Sequence, residues 1–228
     1  MRHSTSLRQT VHFSSSVQHQ LNMYVLAAST AGVSVLALPL PAQARIIYTP
    51  THRHIGPHQM LPLDLNHDGK TDFVFKDTLS TTSASFFHSG RLSILPHGAN
   101  QIWGHKIDTG LHYASALAAG VTVGPNGAFS SGSRSMAYGR QEGSSFYCEG
   151  KWNNAVKRYL GLKFVIGGKI HFGWARLSVT CNAPHISALL TGYAYESIPN
   201  KPIITGKTRG PDVSVEHGAL GALALGRK

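Results

Sequence analysis

The sequence is short of charge. Asp, Glu, Lys and Arg make up 14% of 228 residues, where globular proteins carry roughly 25%. That excludes highly charged disorder, and with 24 glycines it argues against a coiled coil or a bundle of long helices. Acid is the scarcest charge: 10 Asp and Glu face 21 Lys and Arg, a formal charge of +11. Cysteine occurs twice and tryptophan three times. Beyond Leu40 no apolar run approaches the roughly 20 residues a spanning helix needs. There is no H-E-x-x-H, no G-x-S-x-G and no P-loop, so no motif points to metalloprotease, esterase or nucleotide chemistry.

The N-terminus reads as an export signal. Residues 1–22 hold Arg2 and Arg8 and no acid, and Tyr24–Leu40 is uncharged. Pro39, Pro41 and Ala42-Gln43-Ala44 close the segment, as in a secretory signal peptide. Cleavage is predicted after Ala44. It leaves 184 residues and, with both arginines removed, a charge of +9. Cys148 and Cys181 both lie in the mature part. In an oxidising compartment an even count reads as a disulfide, with two free buried thiols as the alternative.

The mature chain reads as all-β: an antiparallel, jelly-roll-like sandwich over residues 45–205 with Gly/Ser-rich loops. Residues 206–228 read as a flexible tail. Short β-prone runs alternate with Gly/Pro turns at Ser89-Gly90, Pro96–Asn100, Asp108–Gly110 and Gly124–Gly127. Ile46-Ile47-Tyr48 reads as a first strand ended by Pro50, Ala84–His88 as another strand, 111–120 as a short helix, and 127–145 as a surface loop. In 158–166 Leu160, Leu162, Phe164 and Ile166 alternate. Gly167-Gly168 supplies a primed two-residue turn. Ile170, Phe172 and Trp174 alternate beyond it, and then the apolar phase shifts to Leu177 and Val179. That shift places a bulge near Ala175-Arg176. Residues 186–196 read as a further strand, and 200–212 as loop.

One motif carries a mechanism. Four of the ten carboxylates lie between Asp64 and Asp77. Asp64, Asn66, Asp68 and Asp72 stand at positions 1, 3, 5 and 9 of a loop, Gly69 at position 6, and the Lys70 carbonyl at position 7. Calcium takes six to eight oxygen ligands, and this spacing wraps them around one ion. Position 12 is Phe75, so the bidentate Glu of an EF-hand is missing. The loop resembles the aspartate-rich loops of extracellular β proteins such as the FG-GAP repeat, and a single copy argues against a propeller. The alternative is an Asx-rich turn without an ion.

Other clusters are weaker. His52, His54 and His58 would suit a transition metal or an exposed loop. Trp103, Trp152 and Trp174 are candidates for a sugar-binding platform. Tyr159, Phe164, Phe172 and Trp174 interleave with Arg158, Lys163, Lys169 and Arg176. A half-buried strand pair explains them better than a nucleic-acid face. No two acids are spaced to single out a hydrolase pair. Glu196, ending a strand, reads as structural.

The order of segments carries a resemblance. YTP is followed by PLDLNHDGKTDF, then Tyr159-Leu160-Gly161, His171-Phe172-Gly173-Trp174, Gly192-Tyr193-Ala194-Tyr195-Glu196, and LGALALG. Over residues 46–226 this resembles uncharacterised bacterial exported proteins of the PEP-CTERM-tailed type. The resemblance implies an envelope or extracellular-matrix location and no known catalytic activity. The tail departs from the pattern. Val215-Glu216-His217 stands in place of Pro-Glu-Pro, and Gly218–Gly226 is too short to span, so the sorting end is degenerate or truncated. The expectation is an exported, non-enzymatic surface or matrix protein of structural or adhesive type, partnered by polysaccharide or the cell envelope and braced by calcium. A carbohydrate-binding module and a secreted hydrolase are the alternatives.

Overall fold

The computed structural model describes residues 45–81, 87–106 and 112–210. The export segment before Arg45, the tail beyond Gly210, most of the Ala84–His88 run and the Asp108–Gly110 turn lie outside them. The described residues form fourteen strands: β1 (Ile46–Ile55), β2 (Met60–Leu63), β3 (Phe73–Thr81), β4 (Phe87–Pro96), β5 (Gln101–Lys106), β6 (His112–Ala114), β7 (Thr122–Val123), β8 (Phe129–Ser130), β9 (Arg134–Glu142), β10 (Ser145–Glu149), β11 (Arg158–Ile166), β12 (Lys169–Asn182), β13 (His185–Glu196) and β14 (Ile203–Ile204). The all-β expectation holds. Among the described residues no helix is long and apolar enough to cross a membrane.

Twelve strands share one sheet in the order β1-β13-β12-β11-β5-β6-β9-β4-β3-β2. β10 adds to β9, and β8 to β5. Pairing is antiparallel except where β6 meets β9 at Tyr113 and Ser135. The sheet curls until it is nearly a barrel. β13 packs across the interior on β3, β4 and β9. At the two ends of the strand order, the Arg53 guanidinium donates to the Pro62 carbonyl over 3.4 Å.

The enclosed core is built by period-two alternation. Leu160, Leu162 and Phe164 of β11, Phe73 and Phe75 of β3, and Leu92 and Ile94 of β4 all point inward. Each such ring or branched chain removed from water contributes roughly 1.5–3 kcal/mol. β12 buries both of its faces. Ala175, Leu177, Val179 and Cys181 face the main core, while Phe172 and Trp174 face a second cluster with Val123, Tyr159, Ala194 and Ile203. The small β7–β14 sheet supplies the cover. This corrects the reading of the phase shift. β12 does not flip: its outer face is simply covered in the first half and uncovered in the second. A register shift does occur beside Arg176, but the extra residue is Thr191 of β13. Arg176 fastens it, with Nε donating to Thr191 Oγ1 at 2.8 Å.

Five further expectations change. β1 runs through Pro50, which an edge strand tolerates because its missing N–H costs no ladder bond; the register with β13 slips between Pro50 and Arg53. Residues 112–120 form no helix. Leu117 exchanges both backbone hydrogen bonds with Tyr159, at 2.8 and 2.9 Å, and these compete with helical ones. The supposed loop at 127–145 contains β8 and β9. Ser89-Gly90 is mid-strand in β4, where a Cβ on Gly90 would lie 2.0 Å from the Pro184 carbonyl oxygen. Ile203 and Ile204, within the expected loop after Pro199, pair with β7.

Cys148 and Cys181 form the disulfide, 33 residues apart in sequence. It ties β10 to β12, and closing that loop stabilises by roughly 3–4 kcal/mol in the chain-entropy model.

Asp77 is the exception inside the core. It is 2% exposed on the inner face of β3. Neither carboxylate oxygen has a hydrogen-bond partner, and burial pushes its carboxyl up to about 7. In the unfolded chain the same group titrates near about 3.9. Between those values the folded protein holds a proton that the unfolded chain has released, so stability falls as pH rises from about 4 to about 7. Asp77→Asn is therefore expected to melt above the wild type at pH 8, with the gap closing at pH 4. Equal differences at both pH values, by calorimetry, would contradict this.

Candidate functional site

The Asp64–Asp72 loop joins β2 to β3 and seals one end of the sheet. Leu63 and Leu65 drop into the core and are almost fully buried. Between them Asp64 turns outward, and its carboxylate receives the N–H groups of Asp68 at 3.3 Å and Gly69 at 2.8 Å. Asp68 Oδ1 accepts from Lys70 N at 2.9 Å. His67 and Gly69 take positive φ values of 61° and 83°. The reversal that sequence spacing assigned to Gly69 is therefore present.

The two sides of the loop are anchored differently. On one side Thr49 Oγ1 lies 2.8 Å from His67 Nε2, and the His67 ring packs 5.8 Å from that of Tyr193. These contacts dock the loop on β1 and β13. On the other side Asp72 makes a knot. Its N–H donates to the Leu63 carbonyl at 2.9 Å, and its own carbonyl accepts from His97 N at 2.9 Å. Its carboxylate accepts from Leu65 N at 2.8 Å and from Asn100 Nδ2 at 3.3 Å. Asn100 Nδ2 also reaches the Asp72 carbonyl, and Asn100 Oδ1 accepts from Val165 N at 3.1 Å. Three segments distant in sequence thus meet at one buried pair.

Electrostatics separates the carboxylates. The Lys70 N–H, then the Asn66 side chain, hold the Asp68 carboxyl below its ordinary value. Burial pushes Asp72 up; the Leu65 N–H and Asn100 oppose this, and the Asp64 and Asp68 charges add to it. Asn66 Oδ1 is buried and has no hydrogen-bond partner. Among the described residues no three His, Cys, Asp or Glu side chains are already gathered as a metal-holding group. The loop presents oxygens without yet closing on a point. A cleft of about 810 Å³ opens beside it, lined by Asp68, Asp72, His97, Asn100 and the Gly167-Gly168 turn.

The other sequence candidates are dispersed. Trp152 and Trp174 are 0% exposed and lie in different clusters, so they offer no face to a sugar. Trp152 Nε1 is spent on the Ala114 carbonyl. Trp103 is half-buried beside a groove of about 270 Å³ formed with the Gly124–Gly127 turn and Pro202. Tyr159, Phe164, Phe172 and Trp174 are all buried, as a strand pair requires. The His52 and His54 rings stack edge-on at 5.3 Å on exposed β1, with His58 in the following turn. Glu196 is buried, and its carboxylate accepts from Ile198 N at 3.1 Å.

Sequence reasoning missed Asn100 and Thr49. Asn100 read as a turn former, and its partners lie 28 and 65 residues away. Only the three-dimensional pairing of β3, β4 and β11 exposes its role.

Compared with known proteins, the chain matches no family model, no curated protein and no solved structure.

Replacing Asn100 by Ala would leave the buried Asp72 carboxylate with the Leu65 N–H as its remaining donor and the part-buried Val165 N–H without its acceptor. The expected loss is about 2–4 kcal/mol in a urea titration, at roughly 1–3 kcal/mol for each unsatisfied buried group. A loss within about 0.5 kcal/mol, the range of an ordinary surface change, would contradict the knot.

Proposed function

We propose that the chain is an exported, non-enzymatic surface or matrix protein of structural or adhesive type, whose Asp64–Asp72 loop takes up calcium as a brace. The supporting observation is the buried, unpartnered Asn66 Oδ1 between two outward carboxylates. A hard cation supplies the partner this oxygen lacks, and relieves the repulsion among Asp64, Asp68 and Asp72. The ligands are the side chains of Asp64, Asn66 and Asp68 and the carbonyl of Lys70. Asp72 completes the set through lone pairs that its two hydrogen bonds leave free. The ion does no chemistry in this reading; it draws the loop closed over the end of the sheet.

The disulfide agrees with an oxidising destination, which a chain with an export signal cleaved after Ala44 would reach. In the same reading the two halves of the sheet act as the layers of a jelly-roll-like sandwich, supported by the packing of β13 on β4 and β9.

The test is thermal melting of processed chain recovered from the medium or envelope, beginning at Arg45. At about 100 times the dissociation constant, calcium should add about 2.7 kcal/mol, or roughly 5–11 °C for a domain of this size. Paired Asp64→Asn and Asp68→Asn substitutions should abolish the rise. Recovery only as unprocessed cytoplasmic chain would contradict export. A melting temperature unmoved by about 10 mM calcium, far above the affinity range of extracellular sites, would contradict the brace.

A further inference from the structure

The outer face of the sheet, away from the calcium loop, carries a groove of about 390 Å³ across β3, β4, β9 and β6. That volume lies within the range of ligand sites. Alternation along the strands decides its chemistry. Phe75, Asp77, Leu92 and Ile94 point into the core, so Lys76, Thr78, Arg91 and Ser93 point out. The β4–β9 register slips between Leu92 and Ser93, and a bulge of this kind bends and twists a sheet locally. Ser135 and His112 form the opposite wall.

Lys76, Arg91, His112 and four hydroxyls line this groove beside Leu95, and none of its described lining residues is acidic. The described ion pairs belong to Arg140, with Glu142 and Glu149; Lys76 and Arg91 have none. The Arg91 guanidinium is steadied over the Tyr138 ring at 5.3 Å, a contact that leaves its positive charge without a counter-ion. Ser93 Oγ donates to the Lys76 carbonyl at 3.2 Å, and its lone pairs remain free toward the groove. A planar guanidinium suits a carboxylate in bidentate fashion, and serine and threonine hydroxyls suit sugar hydroxyls.

We propose that this groove binds a carboxylate-bearing polysaccharide, with Arg91 and Lys76 taking uronate groups and Thr78, Ser93 and Ser135 the neighbouring hydroxyls. The charge complementarity favours an acidic chain over a neutral one. No Trp, Tyr or Phe is among the described lining residues, which favours sugar over single-stranded nucleic acid, whose bases stack on such rings. The site replaces the tryptophan platform that the sequence suggested. It deepens the matrix reading and rests on it for a reason to meet such a polymer.

Calorimetric titration of the purified mature chain with polygalacturonate, neutral dextran and a DNA oligonucleotide tests it. Calcium is omitted, so failure here leaves the calcium brace standing. Polygalacturonate should bind, and dextran should not. Lys76→Gln with Arg91→Gln should weaken polygalacturonate binding at least tenfold. Thr78→Glu, which adds a negative charge to an exposed position, should weaken it similarly. Arg158→Gln with Lys169→Gln removes the same charge elsewhere and should change affinity less than twofold. Equal losses in the two double variants would overturn the proposal in favour of bulk charge. Tighter binding of DNA than of polygalacturonate, or equal binding of dextran, would overturn it as well.

Discussion

The structure around the candidate site depends on one buried pair, Asp72 and Asn100. A carboxylate taken out of water is costly unless its oxygens are satisfied. Here they are met by Leu65 N and Asn100 Nδ2, while the Asp72 main chain is held by Leu63 and His97. The arrangement exists only if three segments arrive together: the loop before β3, the turn between β4 and β5, and the end of β11. Once they do, Leu65 is fixed in the core, and the remainder of the loop, Asp64 to Lys70, is left projecting outward. The inner half of an acidic cluster is thereby structural, and the outer half is free to take a ligand.

A second constraint is double-sided burial. In an ordinary antiparallel strand one face meets the core and the other meets water. β12 meets a core on both sides over its first half, because β7 and β14 cover Phe172 and Trp174. Two consequences follow. Trp152 and Trp174, which look available in sequence, are interior, and an open groove lies instead across β3, β4 and β9. There Lys76, Arg91, Thr78, Ser93 and Ser135 line the groove, with the Tyr138 ring beneath Arg91.

Much of this was legible in sequence, and the failures have physical causes. Alternation through Leu160–Ile166 and the turn at Gly167-Gly168 marked the β11–β12 hairpin correctly, because residues facing a single core repeat every second position. The same rule misled in β12, where a second cluster altered the apolar phase without altering the strand. Small residues misled in β4 and β9. Gly90 and Gly139 read as turn or loop, yet each is a strand position pressed on the β12–β13 turn; a Cβ on Gly139 would lie 3.2 Å from Cys181 Sγ. The Cys148–Cys181 bond is read from an even count of cysteines behind an export signal, with free thiols as the alternative, and the bond is formed. The ligand spacing of Asp64–Asp72 was visible in sequence, whereas the engagement of Asp72 by Asn100 was not, since a contact across 28 residues leaves no local trace.

The central claim is that Asp72 stays tied to the fold while the outer loop closes on calcium. A crystal structure of the mature chain grown with millimolar calcium tests it most directly. The account predicts an ion about 2.3–2.6 Å from oxygens of Asp64, Asn66, Asp68, Asp72 and the Lys70 carbonyl, with Asp72 still accepting from Leu65 N and Asn100. A loop without an ion at that concentration, or an Asp72 drawn away from Asn100 to bind one, would contradict it.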